Sequence, residues 1–338
     1  MDRKRHFERK RVLITGGLGF IGSHLARRLA EWGAHVLIVD AMLPNTGGNW
    51  FNLEGIRSDV QVQIADLREH SVVNEMVGGQ DFLFNLAGQT SHVESMLAPE
   101  TDLAINAGIQ LAIVEACRKF NPSIKIVYAS TRQVYGQARS LPVNEEHPIV
   151  PMDFNGVSKR AGEMYHLVGH RVYGLHATSL RLTNTYGPHL RCKDARQTFI
   201  GWWVRCLLEG KPIPVYGAGR QLRDLNYVED VVDAFLRIAI HPQAPGQAYN
   251  LGGETPICLL ELARLMIAVH GGGSYEIIPF PENRRRIDIG DYHGDYAKIQ
   301  AAVNWQPQIA LRSGLERTLA FYAQHKAHYW EANDAAFP

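Results

Sequence analysis

Three glycines and one aspartate carry the first chemistry legible in the chain: Gly16, Gly19, Gly22 and Asp40. The glycines lie within Thr15-Gly16-Gly17-Leu18-Gly19-Phe20-Ile21-Gly22, after the apolar run Val12 to Ile14 and before the amphipathic segment Ser23 to Trp32. Glycines at this spacing let a backbone turn tightly, approach a pyrophosphate and pack helix on strand. The helix N-terminus that follows offers unpaired N–H groups to the phosphates, with Phe20 and Ile21 of the turn among the cofactor-binding residues. Asp40 closes a second apolar run. A carboxylate about 20 residues beyond such a turn accepts both hydroxyls of an adenosine ribose and repels a 2′-phosphate, so the expected cofactor is NAD and not NADP.

Further candidates sit where other apolar runs end. Asp66-Leu67 follows the third run; the carboxylate there is placed to accept from an adenine amino group while the leucine packs on the ring, or else it caps the helix that starts near Arg68 and Glu69. Leu86-Ala87-Gly88 ends the fourth run with residues small enough for a dinucleotide to lie against bare backbone. The fifth ends in Ser130-Thr131-Arg132-Gln133-Val134-Tyr135-Gly136, where a hydroxyl reaches a substrate oxygen or satisfies local backbone. No metal-ligand spacing accompanies these residues, and Cys117, Cys192, Cys206 and Cys258 form no CxxC pair, which points to reduced thiols and a cytoplasmic location.

The elements that must hold these residues alternate. Val60 to Ile64, Phe82 to Leu86, Ile124 to Ala129 and Ala177 to Leu182 read as strands, and 69–78, 100–120 and 156–172 as helices. That order predicts an α/β fold with a Rossmann-type doubly wound parallel sheet, covered on both faces and binding ligands at the carboxyl ends of its strands. After about residue 185 shorter elements with Gly and Pro breaks, such as Lys211-Pro212-Ile213-Pro214, predict a smaller C-terminal α/β substrate-binding lobe. The expected division is a dinucleotide-binding unit over 11–185, with segments near 225–255 returning to it, a substrate lobe over 186–330, and a solvated basic tail over 1–10. A chain of 338 residues with 46% hydrophobic content supports a core of this size. A formal charge of +1 supplies no field to gather nucleic acid, and no apolar run reaches the length of a membrane span.

Taken together, TGGLGFIGSHL at 15–25, Asp40, ADL at 65–67, NLAG at 85–88, STRQVYG at 130–136, GVSKRAGE at 156–163, RLTNTYGP at 181–188, VYGAGRQLRDLNYVEDVVDA at 215–234 and the Arg285/Asp288 pair resemble the extended short-chain dehydrogenase/reductase family. Within it they are similar to the NAD-dependent nucleotide-sugar epimerases and dehydratases, over about residues 11–325. The resemblance implies a held NAD that removes a hydride from a sugar carbon, leaves a transient ketone and returns the hydride. It implies Thr131 and Lys159 as catalytic residues, the lysine also holding the nicotinamide ribose, with Ser130 against the cofactor. Gln89 and Ser91, within Gln89-Thr90-Ser91-His92, fall beside the sugar. Asn184 corresponds to the residue that touches the substrate diphosphate, Arg223 and Arg285 to the arginines that clamp it, and Asp288 to a group that orients Arg285 or meets the ribose.

One family position departs. Where the resemblance implies a tyrosine four residues before Lys159 stands Asn155, whose amide has no acid–base titration near neutral pH. Lys159, Tyr135 and His189 are candidates to take the proton instead. Where the 4,6-dehydratases carry an acidic pair after the threonine, this chain has Arg132 and Gln133, which disfavours elimination of water. The expected reaction is therefore epimerisation of a nucleotide-diphosphate sugar, a UDP-hexose at C4 first, with C2 epimerisation, another nucleotide-sugar oxidoreduction or binding without turnover as alternatives. The resemblance also implies a homodimer through helices 100–120 and 156–172, the first bearing the apolar stripe Leu103, Ala107, Leu111 and Val114.

Overall fold

The computed structural model describes residues 3–331. Strands β1 (Arg11–Thr15), β2 (His35–Asp40), β3 (Val60–Ile64), β4 (Phe82–Asn85), β5 (Lys125–Thr131) and β6 (His176–Leu182) join Ala248–Asn250 in one seven-stranded sheet. The spatial order is Ala248–Asn250, β6, β5, β4, β1, β2, β3, and every pairing is parallel. Strand order reverses between β1 and β4. In a doubly wound sheet that reversal opens a crevice beyond the carboxyl ends of the two strands.

Strands β1, β2, β4 and β5 are largely apolar on both faces because both are covered. Val12, Ile14, Ile38, Phe84, Val127 and Leu180 point to one side, against α2 (Phe20–Glu31) and the helix Val228–Ala239. Leu13, Val39, Leu83, Ile126 and Ala177 point to the other, where α3 (His70–Met76), α6 (Ile109–Phe120) and α7 (Phe154–Tyr173) lie. Alternation along each strand thus splits one apolar run between two cores.

Two expectations change here. Residues 4–10 are not a solvated tail: α1 (Lys4–Phe7) places Phe7 fully inside the first core, its ring 4.8 Å from that of Phe82 and 5.8 Å from that of Trp32. Phe7, an Arg3–Asp233 ion pair and the Arg9 N–H bond to the Gly33 carbonyl anchor the basic run, and the charge count concealed that. The helix expected over 100–120 is instead α5 (Pro99–Leu103), a π-helical turn over Ala104–Gly108, and α6. A π turn widens the ladder and presents a side chain that a regular helix would direct elsewhere; here that side chain is Asn106.

The smaller lobe gathers the helices Phe199–Leu208, Leu259–His270 and Leu311–His325 around its own core, with short strand pairs at its margins. The chain leaves it twice. Val228–Ala239 packs on the large sheet, and Ala248–Asn250 pairs with β6. Four cysteines are free thiols, and no helix among the described residues is long and apolar enough to cross a membrane.

Candidate active site at the carboxyl ends of β1 and β4

The crevice floor is built from backbone. Gly16 holds φ 69°, a left-handed conformation that glycine adopts without penalty, and a side chain there would meet the backbone of Leu86 and Ala87 at 3.0 Å. At Gly22 a Cβ would collide with the Gly16 carbonyl oxygen. Gly19 is the N-cap of α2 and no side chain caps it, so the first-turn N–H groups of Phe20, Ile21 and Gly22 face the cavity their residues line. Bare N–H groups at a helix start, with no Cβ in the way, fit a pyrophosphate. Asp40 lines the same cavity, its oxygens accepting from the Leu18 and Met42 N–H groups at 3.0 and 2.9 Å. Burial raises its pKa while those two bonds lower it. Asp66 and Leu67 line the cavity too. Asp66 does not cap α3, whose N-cap is Glu69; its carboxylate is held by the Arg68 guanidinium, at 2.9 and 3.0 Å from Nε.

Leu86, Ala87 and Gly88 follow β4 along the crevice. Gly88 leaves room for Lys159: a Cβ there would lie 2.6 Å from Nζ. Lys159 comes from α7, donates to the Ala129 carbonyl at 3.2 Å, and is pushed down to about 8 by burial, against the opposing pull of Asp102. Ser130 and Thr131 line the cavity at the end of β5; the Thr131 hydroxyl accepts from the Gln133 N–H at 3.2 Å and keeps its own proton to donate. The glycine turn, Asp40, Leu67 and Lys159 thus line one cavity whose shape and donors fit a dinucleotide such as NAD.

Asn155 is buried and committed. Its amide donates to the Gln89 carbonyl at 2.9 Å and to Asp102 at 3.1 Å. Asn106, from the π turn, donates to the same two acceptors at 2.9 and 2.8 Å and receives the Gln89 N–H at 3.1 Å. Two side chains, tied together by Asp102, thus pin the start of the segment 89–92. Gln89 lines the cavity, but Ser91 does not: it is buried and its hydroxyl caps α4 (His92–Leu97), accepting from the Glu94 N–H at 3.2 Å. Two other candidates also leave the site. Tyr135 is fully buried, bonded to Asn250 and Arg181, and pushed up to about 12 by burial. His189 is buried against His24 and Phe321, and burial drives its pKa far down.

Beside the crevice lies a second cavity, lined with charge and aromatic rings. Asn184 and Arg132 border both, and the Asn184 Oδ1 and the Arg132 Nε have no hydrogen-bond partner among the described residues. Arg223 lines the second cavity and pairs with Asp288 at 2.9 Å. Arg285 is a correction. Its side chain is 67% exposed and pairs with Glu282, while the adjacent Arg284 lines the cavity with its guanidinium 5.6 Å above the Tyr216 ring. A short helix, Glu282–Arg285, fixes which arginine of the run faces in, and spacing alone does not specify its rotation. Arg132 also lines this cavity: burial and nearby Arg223 push it down to about 10, which still leaves it cationic at neutral pH.

His92 and Asp153 were not singled out for chemistry by the sequence, although His92 was within the polar stretch beside the sugar site. Asp153 precedes α7, caps it by accepting from the Gly156 N–H at 2.7 Å, accepts from the Gln133 side chain at 2.8 Å, and lies 2.9 Å from His92 Nδ1. His92 lines both cavities. No cluster of three or more metal-ligating side chains occurs among the described residues.

Comparison with known proteins agrees with this fold. A dTDP-glucose 4,6-dehydratase of Streptomyces niveus is 28% identical over 329 residues, covering 95% of each chain. A CDP-paratose 2-epimerase of Salmonella typhi is 28% identical over 336 residues, covering 91% of this chain and 97% of its own. The crystal structure of UDP-glucose 4-epimerase from Thermotoga maritima with UDP-glucose superposes with a TM-score of 0.86 at 26% identity, over 94% of this chain and 99% of that one. Residues 12–252 match the family described as NAD dependent epimerase/dehydratase, and the chain belongs to that family.

Proposed function

We propose that the protein is an NAD-dependent nucleotide-sugar epimerase acting at C4 of a UDP-hexose through a transient ketone. The observation that carries this reading is the absence of an acid where a dehydratase needs one. Gln133 is neutral and turned onto Asp153, and Arg132 presents a cation, so neither side chain protonates a leaving hydroxyl. Bound NAD supplies reversible hydride transfer; Lys159 and the Thr131 hydroxyl orient its ribose and the sugar oxygen. Asn184, Arg223 and Arg284 hold the diphosphate, guanidinium groups offering paired donors to phosphate oxygens. Tyr216 and Phe280, with ring centroids 5.4 Å apart, give the nucleotide base an aromatic seat. The similarity to a CDP-sugar 2-epimerase supports C2 chemistry as the second reading.

A screen of nucleotide sugars followed by mass spectrometry and sugar NMR tests it. Interconversion of UDP-glucose and UDP-galactose, or an analogous C4 pair, is the expected result. Exchange only at C2, or loss of water, overturns the C4 assignment.

The same reading includes a homodimer. Leu103, Leu111 and Val157 are 59%, 45% and 51% exposed, while Ala107 and Val114 turn inward, so α5, α6 and α7 present an uncovered apolar strip. Sedimentation at micromolar concentration checks it, a monomer boundary being the adverse result.

A further inference from the structure

We propose that His92, backed by Asp153, takes the proton from the reacting sugar hydroxyl, the role that a tyrosine at position 155 fills in the resembled family. The inference rests on the nucleotide-sugar redox reading above and adds the missing base to it. Asn155 cannot be that base, and its amide is already spent on Gln89 and Asp102. Tyr135 and His189 are walled off in the interior. Lys159 donates to the Ala129 carbonyl behind Gly88 and is occupied by its place beneath the cofactor seat.

His92 has the geometry the others lack. Its side chain is 34% exposed and lines the cavity shared with Thr131, Asn155 and Lys159. Nδ1 is buried 2.9 Å from the Asp153 carboxylate and makes no hydrogen bond as placed, so a turn of the imidazole ring is what brings its N–H onto that oxygen. A proton on Nδ1 leaves the Nε2 lone pair as the acceptor. Asp153 is fully buried, and its contact with His92 helps to hold its pKa below the usual carboxylate range, so it stays anionic and stabilises the imidazolium that forms. The surrounding residues fit this pair. Gln133 donates to Asp153, where an acid at 133 would set two carboxylates against each other. Asn155 ties down Gln89, three residues before His92, and α4 begins at His92 itself. Other charges near the imidazole come from Arg132 and Arg196 across the cavity and from Glu94 on its own helix, 3.8 Å from Arg196.

Oxidising a carbinol removes one hydride and one proton. The hydride is the share of the oxidised nicotinamide. The hydroxyl proton passes to Nε2, and the electron pair of the broken O–H bond closes the C=O bond; reduction reverses both transfers and returns the proton from the imidazolium.

The test uses His92→Gln and Asp153→Asn in the full chain, the second keeping a good N-cap for α7 while removing the charge. NAD and UDP binding are measured by calorimetry, and kcat and KM across pH on the sugar found active. We expect His92→Gln to lower kcat by about 100-fold or more, to leave both affinities within about threefold, and to erase the acidic limb of the profile. Asn155→Tyr in the His92→Gln background restores turnover. Retention of kcat within about fivefold, with the acidic limb intact, overturns the proposal. A readout independent of turnover is nitrogen NMR of the His92 ring: the neutral Nδ1–H tautomer is expected, and Nε2–H overturns the proposal. If the wild-type protein binds both ligands yet turns over no nucleotide sugar, the epimerase reading fails on its own and the tautomer still decides the role of His92.

Discussion

The two cavities that meet at Arg132 and Asn184 are made of different materials. The dinucleotide crevice is shaped by backbone: a left-handed glycine, a glycine with no room for a methyl group, and a helix start without a cap. The neighbouring cavity is shaped by charged side chains, Arg132, Arg223 and Arg284 among aromatic rings. A backbone site tolerates almost no substitution at its turn, whereas a side-chain site loses affinity in steps and responds to salt.

The most damaging change should be Gly22→Ala. Its methyl group cannot clear the Gly16 carbonyl, so we expect a loss of about 3 kcal/mol in stability and at least a ~100-fold loss of NAD affinity, read by thermal melting and calorimetry. Retained NAD binding would break the contrast. Arg223→Met should weaken UDP by roughly 30-fold, or about 2 kcal/mol, while leaving NAD affinity unchanged. Equal losses for both ligands would show that the cavities are not separable. Asp40→Asn removes the charge that repels a 2′-phosphate and should narrow the preference for NAD over NADP by about tenfold, measured as the ratio of dissociation constants. Smallest is the effect of salt: raising ionic strength from 0.05 to 0.5 M, roughly a threefold shorter screening length, should weaken UDP binding severalfold and NAD binding less. The reverse order would place the dominant charge in the wrong cavity.

The same contrast explains what the sequence made legible. Gly16, Gly22 and Asp40 were readable because a conformational demand leaves a residue type at a fixed spacing, and the sheet was readable because its strands are short apolar runs with turn signals between them. The catalytic end was harder. Ser91 carries a hydroxyl in the expected place, yet α4 starts there and takes it as a cap. Arg284 replaced Arg285 because the rotation of a one-turn helix is set by what packs around it. His92 and Asp153 stand 61 residues apart, on α4 and at the start of α7, and only the fold sets them 2.9 Å from each other. The sole local signal was negative: a missing tyrosine, which told where to search and not what would be found.

The strand Ala248–Asn250 has a consequence for anyone rebuilding the molecule. Its Asn250 receives the Tyr135 hydroxyl at 2.7 Å and donates to the Val143 carbonyl at 2.9 Å, and its backbone is the outer rail of the sheet beside β6. A gene cut after β6 therefore yields no self-sufficient half, because the upstream piece keeps a raw edge and a Tyr135 hydroxyl that has lost its acceptor. Chimeras that exchange sugar preference between relatives need a second splice junction, before 248, that hands this rail back to its original owner.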